Sequence, residues 1–260
     1  MLRSRIIPCL LVHDKGLVKT LKFSVENGKY VGDPINAVKI FNEKQVDEIM
    51  VIDIDATVEG RDPDYEMIKN VATECRMPLC YGGGVKTVEQ VRKIIKLGAE
   101  KVAVSSAALD NPDLLRQMSE AVGAQSIVLV LDIMKKKSLF GGTRYELFTH
   151  NGKKKTGKRL YDFLEEIKDV PCGELVINNI DLDGVMTGYD LEMCDKVRDL
   201  TEVPLTFLGG AGSYEDLKKL VDRYKVIGAA AGSIFIFKGK YKAVLIQYPM
   251  PDEKVKIQPI

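Results

Sequence analysis

The sequence has 260 residues, of which 38 are Lys or Arg and 37 are Asp or Glu, so its net charge is close to neutral. A protein without a dominant positive field is poorly suited to bind DNA or RNA as its main activity, and we expect no nucleic-acid partner. The length is typical of one (β/α)8 barrel. Because no apolar run reaches ~18 residues, we also expect no membrane-spanning segment.

The cysteines and histidines indicate the expected compartment and exclude one kind of site. The five cysteines are an odd number and form no C-x-x-C pair, which favours reduced thiols in a cytoplasmic protein. The two histidines, His13 and His150, are far apart in the sequence. We therefore expect neither a zinc site nor another metal, and nothing in the sequence calls for a cofactor.

Apolar runs of strand length alternate with helical patterns along the whole chain. The expected strands are 6–12, 49–52, 79–81, 102–104, 127–131, 175–177, 205–208 and 226–231. The expected helices are 34–41, 64–71, 88–97, one after Asn111-Pro112, 158–167, 190–197, 214–221 and, as a weakly marked last helix, 238–247. This alternation predicts an α/β fold, a single closed (β/α)8 TIM barrel. No Pro/Gly/Ser-rich linker divides the chain, so residues 1–260 are expected to form one domain.

The two longest connections follow the first and fifth strands, at residues 13–32 and 135–157. Their tips are basic and contain glycine, as in Gly141-Gly142 and Asn151-Gly152, which is followed by the lysines 153–155. In a barrel enzyme such loops lie on the catalytic face. The lysine run is either a solvated loop or a basic lid over an anionic substrate.

Two glycine turns end strands and lead into helices, YGGG at 81–84 and LGGAG at 208–212. Such a turn brings backbone N–H groups close to a ligand and is a common way to hold a phosphate, although strand-to-helix turns also need glycine for steric reasons alone. The two turns are in register. A shift of 126 residues takes Gly83 and Gly84 to Gly209 and Gly210, and Glu48 to Glu174, without a gap. The chain is therefore expected to be two similar half-barrels.

Carboxylates end several of the expected strands, and Asp132 stands out among them. It follows the run IVLVL at 127–131, whereas the first strand has Leu11 where a matching acid could stand. A carboxylate at the carboxyl end of a barrel strand points into the catalytic mouth, where burial raises its pKa towards general acid–base duty. The alternative for each of these acids, Asp53, Asp55, Asp181 and Asp183 included, is a helix cap or a loop hydrogen bond.

Four further charged residues directly precede apolar runs at strand beginnings. They are Arg5, Glu48, Lys101 and Glu174. Charges of alternating sign at the bottom of a barrel can close into a ring of ion pairs. Such a ring is commonly only a structural plug.

At this point the chain resembles the cyclase (HisF-type) subunit of imidazole glycerol phosphate synthase over nearly its whole length. The matching stretches are RIIPCL, GDP at 32–34, DEIMVIDIDATVEGR, YGGGV, GAEKVAVSSAA, NGKKKTG, GELVINNIDLDGVMTGYD, LGGAG and AAAGSIF. The resemblance implies a phosphate site in each half-barrel and a phosphorylated small-molecule substrate. It also implies a glutaminase partner at the N-terminal barrel face, whose ammonia travels through the barrel.

The resemblance also implies roles for single residues. A first phosphate site matches Gly83, Gly84, Ser105 and Ser106. A second phosphate site matches Asp183, Gly184, Gly209, Gly210, Gly232 and Ser233. The charged gate at the ammonia entrance matches Arg5, Glu48, Lys101 and Glu174. The expected catalytic residues are Asp132, one of the family's two catalytic aspartates, and Lys19, which matches its flexible-loop lysine.

Two positions depart from the family pattern. Leu11 stands where the family has its second aspartate, an essential acid–base group, and Asn178 replaces a small hydroxyl residue. The departure suggests a paralogue that supplies ammonia to a sugar amidotransferase, which makes acetamidino sugars for surface polysaccharides. The alternatives are an authentic histidine-pathway cyclase with a relocated proton-transfer group, and a catalytically silent barrel that hands ammonia to a third protein.

Overall fold

The structure is a computed structural model that describes residues 3–137 and 142–258. The strands in this part of the chain are β1 (Arg5–His13), β2 (Gly16–Leu21), β3 (Ser24–Gly32), β4 (Ile49–Asp53), β5 (Leu79–Gly82), β6 (Lys101–Val104), β7 (Ile127–Lys137), β8 (Thr143–Thr149), β9 (Lys154–Arg159), β10 (Glu174–Asn179), β11 (Leu205–Leu208), β12 (Gly228–Ala231), β13 (Phe237–Lys238) and β14 (Ala243–Val244). The helices are α1 (Pro34–Glu43), α2 (Tyr65–Glu74), α3 (Val88–Lys96), α4 (Ser106–Asp110), α5 (Asp113–Val122), α6 (Leu160–Glu166), α7 (Leu191–Leu200), α8 (Tyr214–Tyr224), α9 (Ser233–Ile236) and α10 (Pro251–Ile257).

Eight parallel strands close into a barrel, which confirms the predicted (β/α)8 fold. Their order around the barrel is β1, β4, β5, β6, β7, β10, β11 and β12, and β12 pairs back with β1. The helices cover the outside, where their apolar faces and the outward strand residues form the main core. The inward strand residues form a second, separate apolar cluster inside the barrel.

The half-barrel repeat is visible in how equivalent helices begin. Asp64 caps α2 by accepting a hydrogen bond from the Met67 N–H at 3.0 Å. Asp190 caps α7 in the same way, from the Met193 N–H at 3.3 Å. Both aspartates satisfy a backbone donor that has no partner within its helix, so the shift of 126 residues reproduces a structural detail as well as a sequence pattern.

The two long connections fold as β-hairpins. The first hairpin is β2–β3, which pairs with β1. The second hairpin is β8–β9, which extends from β7. The lysines 153–155 are exposed to solvent there, and of the predicted glycine pair at its start only Gly142 lies within the described residues.

The predicted last helix, 238–247, is wrong. This stretch forms the short antiparallel pair β13–β14, because Gly239 and Lys242 both have positive φ (71° and 50°) and turn the chain back on itself. The terminal helix is α10, which starts with Pro251 at its first position and has Glu253 reaching back to the Met250 N–H at 2.8 Å. Proline at the first helical position is a signal in the sequence for the start of this helix.

Candidate active site and ion-pair ring

The four charged residues at the strand beginnings close into one ring of ion pairs, called the ring below. Lys101 Nζ lies 2.8 Å from Glu48 Oε1 and 2.8 Å from Glu174 Oε2. Arg5 pairs with Glu174 at 2.9 Å and also contacts Glu48. Each cation therefore touches both carboxylates. The glutamates are almost fully buried, with 2% and 3% of their surface exposed.

The ring favours the charged forms of Glu174 and Lys101. Burial alone raises the pKa of Glu174, but the hydrogen bonds and charges of Arg5 and Lys101 outweigh it, so the pKa of this carboxyl is lowered. Burial likewise lowers the pKa of Lys101, and the two glutamates outweigh that effect and raise it. The ring is thus a charged plug across the N-terminal end of the barrel.

Above the ring the barrel interior is filled by apolar side chains, and this layer is called the lumen below. It comprises Ile7, Cys9, Met50, Cys80, Ala103, Val128, Val176 and Ala230. All five cysteines of the chain are unpaired. Burial raises the pKa of the Cys9 thiol to about 11, and it raises that of Cys80 well above its ordinary value. Both lumen thiols are therefore neutral at physiological pH.

The lumen leads to a cavity of about 310 Å³ at the carboxyl ends of the strands, called the mouth below. Asp132 lines it and accepts a hydrogen bond from Asn178 Nδ2 at 2.9 Å. Burial raises the pKa of Asp132 to about 7, against the lowering effect of the Asn178 amide. A carboxyl poised near neutrality can both give and take a proton. Leu11 lines the same cavity with an aliphatic side chain.

The first predicted phosphate site, called the first cradle below, opens into the mouth. Its members Gly83, Gly84, Ser105 and Ser106 all line the cavity. Gly83 has φ 119°, and a side chain there would collide with the Asp53 carbonyl oxygen, so the turn requires glycine. No side chain caps the start of α4, which leaves backbone donors at this cradle.

The second predicted phosphate site, called the second cradle below, comprises Asp183, Gly184, Gly209, Gly210, Gly232 and Ser233. None of its members lines the mouth, because the first hairpin covers it. Thr20 donates a hydrogen bond to Asp183 Oδ2 at 2.6 Å, and the Phe23 N–H donates to the same atom at 3.2 Å. Burial raises the pKa of Asp183.

Lys19 points into this covered region. Its Nζ donates a hydrogen bond to the Cys9 carbonyl oxygen at 2.7 Å and lies beside Gly232, where a Cβ would collide with it. Only 7% of its surface is exposed, and burial lowers the pKa of its ammonium group. The hairpin thus brings a desolvated cation to a glycine-lined turn, an arrangement that suits an anion.

Most of the other strand-end acids form loop hydrogen bonds, which was the alternative to a catalytic role in the sequence analysis. Asp53 accepts from the Asp55 N–H at 3.0 Å and pairs with Arg61 at 2.8 Å. Asp55 Oδ1 forms a hydrogen bond with His13 Nδ1 at 2.7 Å. Asp181 accepts from the Lys135 N–H at 2.6 Å. These contacts fix the loops around the mouth.

The second long connection reaches the mouth, and two residues at its tip belong to the site although the sequence pattern did not single them out. His150 and Asn151 both line the mouth, and Asn151 Nδ2 donates to the Ile54 carbonyl oxygen at 2.9 Å. Both residues have positive φ, 52° and 56°, a conformation that Asn and His adopt more readily than most residues. An Asn-Gly pair between two strands was the available signal for a tight hairpin.

Across residues 3–137 and 142–258, no cluster of three or more His, Cys, Asp or Glu side chains is arranged to hold a metal ion. The same part of the chain contains no helix long and apolar enough to cross a membrane.

Comparisons with known proteins agree with this geometry. Residues 5–242 match the family described as histidine biosynthesis protein. A Vibrio vulnificus protein provisionally named imidazole glycerol phosphate synthase subunit hisF3 is 57% identical, covering 98% of this chain and 96% of its own length. A Pseudomonas aeruginosa protein provisionally named subunit hisF2 is 46% identical, over 96% and 97%. The imidazole glycerol phosphate synthase subunit HisF of Streptococcus sanguinis is 39% identical, over 90% and 91%. The chain therefore belongs to the histidine biosynthesis protein family, as a HisF-type imidazole glycerol phosphate synthase subunit.

Proposed function

We propose that this protein receives ammonia from a glutaminase partner at its N-terminal face and delivers it through the lumen to the mouth. The observation that carries the proposal is the sequence of environments along the barrel axis: a closed charged ring, then an apolar lumen, then a mouth that contains Asp132, whose pKa is raised to about 7. Neutral ammonia can cross an apolar lumen, whereas ammonium and other ions meet a large desolvation penalty there.

The glutaminase is expected at the N-terminal face because the ring faces that side. Two cations and two anions that share their partners can exchange them with little change in net charge, so the ring can open and reclose without leaving an unpaired buried ion. The ammonia transfer is proposed to take place in the cytoplasm, in line with the reduced cysteines.

The substrate bound at the mouth is proposed to be a phosphorylated small molecule. The first cradle supplies glycine backbone and two serines beside Asp132 in one cavity. The second cradle, with Lys19, is proposed to hold another phosphate group. Lys19 and Asp132 are the proposed catalytic residues.

The finer proposal is that this barrel serves sugar amidation in surface-polysaccharide synthesis, with a sugar amidotransferase as a further partner. Its support is Leu11, since an aliphatic side chain cannot carry out the proton transfers of a second aspartate. The second candidate is the cyclase reaction on a linear bis-phosphorylated ribonucleotide, which gives imidazole glycerol phosphate and an aminoimidazole nucleotide. The coexistence of the first cradle and Asp132 in one cavity favours that candidate. A third candidate is a silent ammonia-conducting scaffold.

Two assays test the proposal. First, a HisH-type glutaminase is assayed with and without this chain. We expect glutamine hydrolysis to rise when the chain is added, and no change would contradict the partnership. Second, the chain is incubated with the linear ribonucleotide and an ammonium salt. We expect turnover about 100-fold or more below that of the Streptococcus sanguinis relative, since general acid–base groups contribute roughly that much. Equal turnover would favour the cyclase.

A further inference from the structure

One polar side chain contacts the ring without being charged. Thr206 lies on β11, is completely buried, and donates a hydrogen bond from its hydroxyl group to Glu174 Oε1. It is an inward residue of an otherwise apolar strand, LTFL. A buried hydroxyl group without a partner is costly, so this contact satisfies Thr206 and also fixes one oxygen of Glu174.

The neighbouring strand leaves room for this hydroxyl group. Thr206 pairs in register with Gly228 on β12. A Cβ placed on Gly228 would collide with Thr206 Oγ1. The two residues therefore act as a pair, in which the absent side chain of one gives space for the hydroxyl group of the other.

The two carboxylates of the ring are consequently held to different degrees. Glu174 accepts hydrogen bonds from Arg5, from Lys101 and from Thr206. Glu48 accepts hydrogen bonds from Arg5 and Lys101 alone, within the described residues. When Arg5 and Lys101 move away, Glu174 still accepts a hydrogen bond from the uncharged Thr206 hydroxyl group on the barrel wall. Glu48 has no such donor in the part of the chain that the structure describes.

We infer that Thr206 is a positioning residue of the ring, which fixes Glu174 so that the ring recloses on the same carboxylate after each opening. This inference rests on the proposed function, because it gives the ring the role of a gate. Removing the hydroxyl group should leave the ring less completely closed without affecting the mouth.

Three cysteines of this chain report on the ring, the mouth and the core separately. Cys80 is fully buried in the lumen and pairs in register with Lys101 of the ring. Cys9 lies at the other end of the lumen, where it also lines the mouth. Cys194 is fully buried in α7, in the core outside the barrel. Peptide mass spectrometry can follow the modification of each thiol by a small reagent, methyl methanethiosulfonate, in the intact chain.

The test compares Thr206→Val with wild type, Thr206→Ser and Lys101→Met. Valine keeps the shape of threonine and removes the donor, whereas serine keeps the donor. We expect Thr206→Val to raise the modification rate of Cys80 about fivefold, as loss of a hydrogen bond to a charged group allows. Cys9 and Cys194 should keep their wild-type rates, and Thr206→Ser should keep Cys80 within about twofold of wild type.

Each other outcome overturns a different statement. If Lys101→Met exposes Cys80 and Thr206→Val does not, Thr206 has no positioning role and the gate stands. If Lys101→Met also fails to expose Cys80, the ring is not a barrier and the proposed gate fails. If Cys194 is exposed together with Cys80 in Thr206→Val, the effect is general loosening of the fold and the inference is wrong.

Discussion

The two half-barrels differ at the carboxyl ends of their first two strands, which pair in parallel in both halves. In the first half Leu11 pairs with Ile52, and both side chains are aliphatic. In the second half Asp132 pairs with Asn178, and the two side chains share a hydrogen bond. The equivalent positions have thus diverged into an apolar wall and a polar pair. Of these four side chains, Asp132 alone is a carboxyl that can give or take a proton.

The two predicted phosphate sites also differ between the halves. The first cradle opens into the mouth, whereas the second lies under the first hairpin with Lys19 at its edge. The half that contains Asp132 has the covered cradle, and the half that contains Leu11 has the open one. A substrate that reaches from the first cradle to Asp132 therefore spans the barrel axis, where ammonia would arrive.

The largest expected effect comes from giving the first half an acid. We expect Leu11→Asp to raise turnover of the linear ribonucleotide with ammonium salt by about 10³-fold, since a positioned acid–base group contributes roughly 10²–10⁴-fold. Leu11→Asn is the matched control, because it is polar and similar in size but cannot transfer a proton. If both variants remain as inactive as wild type, the divergence of the two halves extends beyond this one side chain.

The second prediction removes the remaining acid. We expect Asp132→Asn to lower amidation by about 10²-fold in a complete system of this chain, a glutaminase and the sugar amidotransferase. Glutamine hydrolysis by the glutaminase should be unchanged, which separates loss of chemistry from loss of assembly. Unchanged amidation would remove Asp132 from the mechanism and would favour the scaffold candidate.

The barrel and the members of the ring could be predicted from the sequence, whereas the closure of the ring and the covering of the second cradle could not. The barrel was predictable because continuous apolar runs alternate with capped helices, and the members of the ring were visible because each charge directly precedes a strand. The closure of the ring depends on which side chains reach across the lumen, as Lys101 does to both glutamates, and no local pattern encodes that reach. The covering of the second cradle depends on contacts 160 or more residues apart, such as those between Asp183 and the first hairpin.

The third prediction uses the pH dependence of stability. Burial raises the pKa of Asp132 from 3.8 to about 7 in the folded protein. Its contribution to stability is therefore fully present below about pH 4 and is lost as the pH rises through 7, because the unfolded chain ionises first. We expect Asp132→Asn to be about 4 kcal/mol more stable than wild type at pH 8, because each pKa unit of the shift corresponds to about 1.4 kcal/mol.

The measurement is urea denaturation of both proteins across this pH range. The difference in unfolding free energy should shrink towards zero near pH 4. Because the amide that replaces the Asp132 carboxyl can still accept a hydrogen bond from Asn178, that contact is common to both proteins and cancels. A difference that does not depend on pH would show that the carboxyl ionises normally in the mouth, and the contrast with the apolar first half would then be one of shape alone.

The smallest expected effect concerns Asp53 and Asn179, the residues that directly follow Ile52 and Asn178 on their strands. In the first half Asp53 accepts a hydrogen bond from the Asp55 N–H and pairs with Arg61, and in the second half Asn179 accepts equivalently from the Asp181 N–H at 3.1 Å, through a neutral side chain. Arg61→Met leaves the buried Asp53 carboxylate without its cation. We expect a loss of about 1.5 kcal/mol, less than for a fully buried pair because Arg61 is partly exposed.

The double variant Asp53→Asn/Arg61→Met converts this site of the first half to the chemistry of the second. The side-chain amide introduced in place of the Asp53 carboxylate can still accept a hydrogen bond from the backbone N–H, and no buried charge is left unpaired. The free energy of unfolding, measured by heat or urea, should therefore return to within about 0.5 kcal/mol of wild type. If the double variant is as unstable as Arg61→Met, the loss comes from the aliphatic contacts of Arg61 and the carboxylate is tolerated alone. Recovery would mean that the ion pair of the first half and the amide of the second are alternative solutions for the same turn.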